Sequence, residues 1–206
     1  MSWYFREMLI GMKSRGIYPK GFIDAGAHFG ETNATIREVF PDARVVSFEA
    51  NPNCESILKL NAPEYLICLL GKNTVESVPF YINPNDKTST GCSIYKEESV
   101  HFKDASIVNL PMYKLDDIVP DEANMEFLKM DVQGAEIDIL EGATRQLNKI
   151  KWIYLEVSFV KCNEGAPLFS DVFLYMNKLG YSVSDIREPT YIDNKLVQCN
   201  FLFERL

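Results

Sequence analysis

What is scarce in this sequence narrows its roles before any motif is found. Basic residues are outnumbered, 21 lysines and arginines against 29 aspartates and glutamates, for a formal charge of −8. No basic cluster interrupts that excess, so the chain lacks the patch with which proteins displace counterions from a phosphate backbone, and nucleic acid is not an expected partner. Cysteine is sparse and scattered: Cys54, Cys68, Cys92, Cys162 and Cys199 are odd in number and never form a Cys-x-x-Cys pair. Such a pattern argues against a zinc or disulfide frame and fits small buried hydrophobes in a reducing compartment. No uncharged apolar run is long enough to cross a bilayer, and residues 3–10 carry Arg6 and Glu7 with no small-residue cleavage site. The expectation is a cytoplasmic protein whose residues 1–206 form one domain, large enough to bury a core without staples. Its abrupt beginning fits a piece of a longer parent chain, and a homo-oligomer is left open.

The dinucleotide signature Gly-x-Gly-x-x-Gly is also missing from the stretch around which the chain is organised. Residues 21–25 read as a short strand, Gly26 and Gly30 bracket a tight turn, and a helix opens at Glu31 or Thr32. Where that signature has its first glycine, this chain has Asp24. A carboxylate there repels a diphosphate and suits a ligand with an ammonium group and ribose hydroxyls, of which S-adenosylmethionine is one. Residues 44–49 read as the next strand and deliver Glu49 about 20 residues past the turn, where Rossmann-like folds grip ribose hydroxyls. Asn51 and Pro52 then supply an N-cap and a first helical residue.

Periodicity places the rest. Phe5, Leu9 and Met12 form one stripe of an N-terminal helix that covers the fold within residues 1–20, and Ile36, Val39 and Phe40 face inward from the helix after the turn. Cys54, Ile57 and Leu58 do the same for the third helix, and residues 65–70 read as one strand buried on both faces. The βα rhythm breaks between about 72 and 117, where strands at 78–82, 92–95 and 107–113 suggest an inserted β arm. A strand over 126–131 ends in Asp131, Gly134 permits a turn, and residues 137–147 repeat apolar positions at helical spacing. Strand 152–157, helix 168–179 and an antiparallel pair near 181–186 and 196–203 complete an α/β fold, a seven-stranded mixed sheet with helices on both faces.

The motif Ile23-Asp24-Ala25-Gly26-Ala27-His28-Phe29-Gly30, then Phe48-Glu49-Ala50-Asn51-Pro52, Lys114-Leu115-Asp116-Asp117 and above all Leu128-Lys129-Met130-Asp131-Val132-Gln133-Gly134-Ala135-Glu136 resembles the FkbM-type S-adenosylmethionine-dependent methyltransferases. The resemblance continues through Leu155-Glu156-Val157 and Leu179-Gly180-Tyr181 to Gln198-Cys199-Asn200-Phe201. It implies a Rossmann-like class I methyltransferase that binds S-adenosylmethionine through Asp24, Gly26, Ala27, His28, Gly30, Thr32, Glu49, Ala50, Gly71, Ser93 and Asp131, with residues 89–93 lying over the cofactor. It also implies O-methyl transfer to a small-molecule or glycan acceptor, a sugar hydroxyl in first place, with Tyr81, Tyr95 and Phe159 available to stack on a pyranose. The chain departs from the family pattern at Gln133, where glutamate is usual, at His28, often asparagine, and at Ala50, habitually proline.

An alcohol attacks a methyl group well only if a base takes its proton, and Asp131, at the sheet rim, is the expected base, with His101 of the arm second. Asp131 and Glu156 end adjacent strands, yet two carboxylates without a third ligand make a poor cation site, so no metal is expected. Two rivals remain: an oxidoreductase that holds NAD ribose on Glu49, and a catalytically silent S-adenosylmethionine-binding module, which Gln133 keeps in view.

Overall fold

The structure is a computed structural model in which residues 3–206 are described. The elements are α1 (Trp3–Ser14), β1 (Gly21–Ala25), α2 (Glu31–Val39), β2 (Arg44–Glu49), α3 (Glu55–Asn61), β3 (Tyr65–Ile67), β4 (Leu69–Leu70), β5 (Val75–Ile82), β6 (Ser106–Tyr113), α4 (Leu115–Ile118), β7 (Phe127–Met130), α5 (Glu136–Glu141), β8 (Trp152–Ser158), α6 (Phe169–Lys178), β9 (Tyr181–Ile192) and β10 (Lys195–Arg205). Seven strands form one sheet in the order β3-β2-β1-β7-β8-β10-β9. The first five run parallel, and β10 is antiparallel to both β8 and β9. Asp193 and Asn194, both at positive φ (48° and 60°), make the hairpin turn that this reversal needs. This is the Rossmann-like, seven-stranded mixed sheet expected from the sequence.

Strand alternation builds two cores, one on each face. Ile23, Ala25, Leu128, Met130, Ile153 and Leu155 pack under α5 and α6, while Phe22, Val45, Phe127 and Tyr154 pack under α1 and α2. Each such side chain, fully removed from water, contributes about 1.5–3 kcal/mol. Helix α1 covers the second face with Phe5, Met8, Leu9 and Met12.

The local reading is corrected in three places. Residues 65–70 are not one doubly buried strand. After Cys68 N–H donates to Glu49 O at 2.8 Å the chain leaves the large sheet, and Leu69 and Leu70 pair with Met112 and Tyr113 in a separate three-stranded sheet ordered β4-β6-β5. β3 is consequently an edge strand, with Leu66 exposed. Residues 92–95 make only one bridge, Ser93 to Tyr81, because the Ser93 hydroxyl turns away to bond the β7–α5 turn. In α3, Leu58 is buried but Ile57 is exposed, since that helix follows a separate 3-10 turn, Pro52–Cys54, and meets the sheet on a narrower stripe.

Candidate active site

Register between distant strands assembles the site. On the α1/α2 face, Asp24 pairs with Ser47 on one side and Lys129 on the other, and Lys129 pairs with Tyr154. Two residues further on, at the C-terminal rim, the same face carries Glu49, Gly26, Asp131 and Glu156, with Asn200 opposite Glu156. Ligands of open α/β sheets bind at this rim.

Three arms of a cavity meet there. The first, about 680 Å³ including its open mouth, runs from Gly26 and Glu49 over Phe48, Leu69, Leu70, Phe80, Ile94 and Ile139, roofed by Ser89, Thr90 and Ser93 of the arm. The second is wider, about 1870 Å³ including its open mouth, and is bordered by Gln133, Glu156, Gln198, Asn83, Asn163 and His101. The third lies between Phe5 of α1, the turn residues Ala27, His28 and Thr32, and Lys129 and Tyr154. Asp131 and Thr90 border all three.

Most residues singled out by sequence come together here. Gly26, His28, Glu49, Ala50, Ser93 and Asp131 line the first arm, Ala27 and Thr32 the third, and His101 the second. Asp24, Gly30 and Gly71 line none of them. Gly71 sits where an added Cβ would come within 2.3 Å of Met112 Sδ, because the chain has already left the large sheet, and Cys68, Leu69 and Leu70 border the arm instead. Gly30 starts α2 with φ 87° against Asn61, and Asp24 lies one layer below the rim. Of the aromatic residues expected to stack on a sugar, Tyr95 donates its Oη to Asp138 at 2.7 Å, Phe159 stacks on Phe169, and Tyr81 borders none of the three arms. Phe102 is the aromatic side chain bordering the second arm among the described residues.

The turn itself is tied down by main-chain donors. Glu49 Oε2 accepts from His28 N and Oε1 from Asn51 N, both at 2.7 Å, which fixes the carboxylate while leaving each oxygen a lone pair for the cavity. Burial raises the pKa of Glu49, and the two backbone donors oppose that rise. His28, at φ 50°, bonds Thr88 O through Nε2 at 2.8 Å and so fastens the arm to the glycine turn. Gly26 has φ 77°, and a Cβ there would meet Asp131 O at 2.0 Å, so only glycine permits this approach.

Lys129 is the residue sequence reasoning missed. A lysine inside an apolar strand carried a signal, but its partner could be found only from register. Its Nζ donates to Gly26 O at 3.1 Å and stands 3.3 Å from Asp24 Oδ1. That last approach is an ion pair without hydrogen-bond alignment, so both Asp24 oxygens, like Tyr154 Oη, have no hydrogen-bond partner. Burial pushes Asp24 up to about 6 against the pull of Lys129. Burial pushes Glu136 up to about 7 although its Oε1 accepts from Val132 N and Gly134 N, and burial together with Asp131 and Glu136 lifts Glu156 to about 8.

These raised carboxyls reverse the usual acid response. Each holds its proton more tightly folded than unfolded, so folding takes up protons between roughly pH 4 and 8 and stability falls as pH rises through that window. The ligand-free protein is expected to melt several degrees lower at about pH 8 than at about pH 5, for a loss of about 2 kcal/mol or more. A melting temperature that climbs over that range in thermal scans would contradict these assignments.

The geometry can be set beside known proteins. The methyltransferase FkbM domain profile matches residues 24–183. No curated protein sequence matches the chain. A methyltransferase FkbM from Methylobacillus flagellatus KT is similar in structure with TM-score 0.54 and 20% identity, covering 89% of this chain, which spans only 43% of that protein's length. The magnesium protoporphyrin IX methyltransferase of Synechocystis PCC 6803, solved with bound SAH, is similar with TM-score 0.56 and 8% identity over 97% of this chain and 80% of its own. A TehB-like SAM-dependent methyltransferase from Corynebacterium glutamicum ATCC 13032 reaches TM-score 0.53 at 10% identity over 100% and 89% of the two chains. At these identities the structures share the fold alone, and the profile match over most of the chain supplies the family: this chain belongs to the FkbM methyltransferases.

Proposed function

We propose that the chain transfers a methyl group from S-adenosylmethionine to a hydroxyl oxygen, with a sugar of a glycan as the acceptor class. The observation that carries this reading is the pairing of a carboxylate, Glu49, with a first arm whose walls are largely apolar and which, among the described residues, no lysine or arginine borders. A purine suits its Leu69, Leu70 and Ile139 walls, a ribose diol suits the fixed Glu49 oxygens, and a diphosphate would face Glu49 and Asp131, whose neighbouring ammonium, Lys129, is already engaged by Asp24 and Asp131. That is the argument against the NAD reading. Gly26, Ala27, His28, Thr32, Ala50 and Ser93 complete the cofactor cradle, and Lys129 in the third arm is a counter-charge for the amino-acid carboxylate.

When bound, the cofactor supplies an electrophilic methyl on a cationic sulfur. The chain's own part is to orient the acceptor, exclude water and receive a proton. Asp131, common to all three arms as Thr90 is, is the residue at the point of transfer. The second arm favours a polyhydroxyl acceptor because amides, acids and lysines border it: Asn83, Asn163, Gln198, Glu97, Lys161 and Lys195. His101 on its exposed rim adds a further donor or acceptor there. Asp131 and Glu156 both border this arm, and either can take a hydroxyl proton.

Calorimetry with S-adenosylhomocysteine and with NAD tests the cofactor half: binding of the first and not the second is expected. Glu49→Ala is expected to weaken S-adenosylhomocysteine about 10- to 100-fold, the worth of a charge-assisted diol contact. Affinity unchanged in a variant that still melts cooperatively removes Glu49 from the site. Labelled methyl transfer to sugar, lipid and small-alcohol acceptors tests the other half, and incorporation only into amines rejects it.

A further inference from the structure

Glu156 is the ionisable group at the rim with the most specific surroundings. Its Oε2 accepts from Gln198 Nε2 at 2.8 Å and from Gln133 Nε2 at 3.2 Å, and the same Gln133 nitrogen donates to Asp131 Oδ1 at 2.9 Å. Gln133 reaches both acids from a backbone at φ 55°, a conformation that side chains other than glycine rarely hold. One oxygen of Glu156 is therefore committed to amides, while the other has no protein partner and is not among the buried unpartnered atoms, so it opens on the second arm. Asp131 is differently placed: its Oδ1 is held by Gln133, and its Oδ2 stands 3.9 Å from Lys129 Nζ.

We propose that Glu156, through its free oxygen, is the group that takes the acceptor's proton, and that it is freed of its own proton by the positive charge of the loaded cofactor. This rests on the O-methyltransferase reading. In the transfer the acceptor oxygen forms its bond to the methyl carbon, the electron pair of the broken carbon–sulfur bond stays on sulfur, and the hydroxyl proton passes to Glu156. The products are a methyl ether, a neutral thioether and a carboxylic acid, which sheds its proton to solvent through the open mouth of the arm.

The charged neighbours set the direction. Asp131 beyond β7, Glu136 opening α5 and Glu188 on β9 are acids that raise Glu156, and Glu156 in turn helps raise the thiols of Cys162 and Cys199. The charged groups that shift Glu156 most are acids, Lys129 is engaged by Asp24 and Asp131, and Lys161 and Lys195 border the second arm, so burial and the acids leave the carboxyl protonated near neutrality. A cation at the junction beside Asp131 offsets the repulsion that keeps the proton on. S-Adenosylhomocysteine, with no charge on sulfur, cannot do this.

Titration calorimetry of the intact chain at about pH 7.5, in buffers of different ionisation enthalpy, counts the protons. Wild type is expected to release roughly one half to one proton more on binding S-adenosylmethionine than on binding S-adenosylhomocysteine, and Glu156→Gln to lose that difference. Infrared difference spectra of the wild type supply a check that needs no variant: a protonated-carboxyl C=O band should disappear with S-adenosylmethionine and persist with S-adenosylhomocysteine. Equal proton counts for the two ligands, or the same difference in Glu156→Gln, overturns the proposal and leaves the methyltransferase reading standing. Failure of the wild type to bind either ligand overturns both.

Discussion

Asparagine at position 131 is expected to lower kcat/KM for methyl transfer about 10²- to 10³-fold, with S-adenosylhomocysteine affinity kept within a few-fold. The substitution preserves shape: an amide oxygen at Oδ1 still accepts from Gln133 Nε2, so the tie across to Glu156 survives. What it removes is a charge at the one place that borders cofactor and acceptor arms alike. During transfer positive charge moves from one arm toward the other, and a carboxylate touching both stabilises it throughout, whereas an amide dipole does not. Affinity for the charged cofactor should fall while affinity for its neutral product does not, which separates an electrostatic role from a folding defect. A rate loss below tenfold, or equal weakening of both ligands, would take Asp131 out of the transfer point.

The elements that the sequence announced were those whose signal is local. A glycine turn after an apolar strand, an acid at the end of the next strand and Asp131 after residues 127–130 can each be read within a dozen residues, and the structure brings them to one rim. What could not be read depends on register between strands about 40 to 105 positions apart. Nothing near Lys129 says that Asp24 lies opposite it, nor does anything near Glu156 say that Gln198 will reach its carboxylate. That Gly71 lies outside the three arms could not be read, because an unbroken apolar run hides a change of sheet: Leu69 and Leu70 are as apolar as Leu66 and Ile67, and only the partner strand distinguishes them. The arm's middle strand is missing for a related reason. Residues 92–95 have strand composition, but Ser93 spends its hydroxyl on Val132 O and Gln133 O, which pins the segment over the cavity and prevents a ladder.

The buried pair beneath that rim gives the largest expected change in stability. Lys129→Met should destabilise the fold by about 3–5 kcal/mol near pH 8, because Asp24 is then a charge in the core with no counterion. Near pH 5 the cost should shrink, since Asp24, already raised to about 6, takes a proton and becomes neutral. Adding Asp24→Leu removes the stranded charge, so the double variant should recover most of the loss, as apolar replacements of buried pairs often do. Urea unfolding of the four proteins closes the cycle, and additive effects would mean that the two residues do not act as a pair. If an apolar pair is as stable, the ionic one needs another reason to be there. Lys129 Nζ also donates to Gly26 O, the carbonyl at the apex of the turn whose next strand layer carries Asp131, and Asp24 holds that ammonium in place from below. The double variant should therefore unfold like wild type yet bind S-adenosylhomocysteine at least about tenfold more weakly, the worth of one charge-assisted bond to the turn. Wild-type affinity in a stable double variant would reduce the pair to a packing feature.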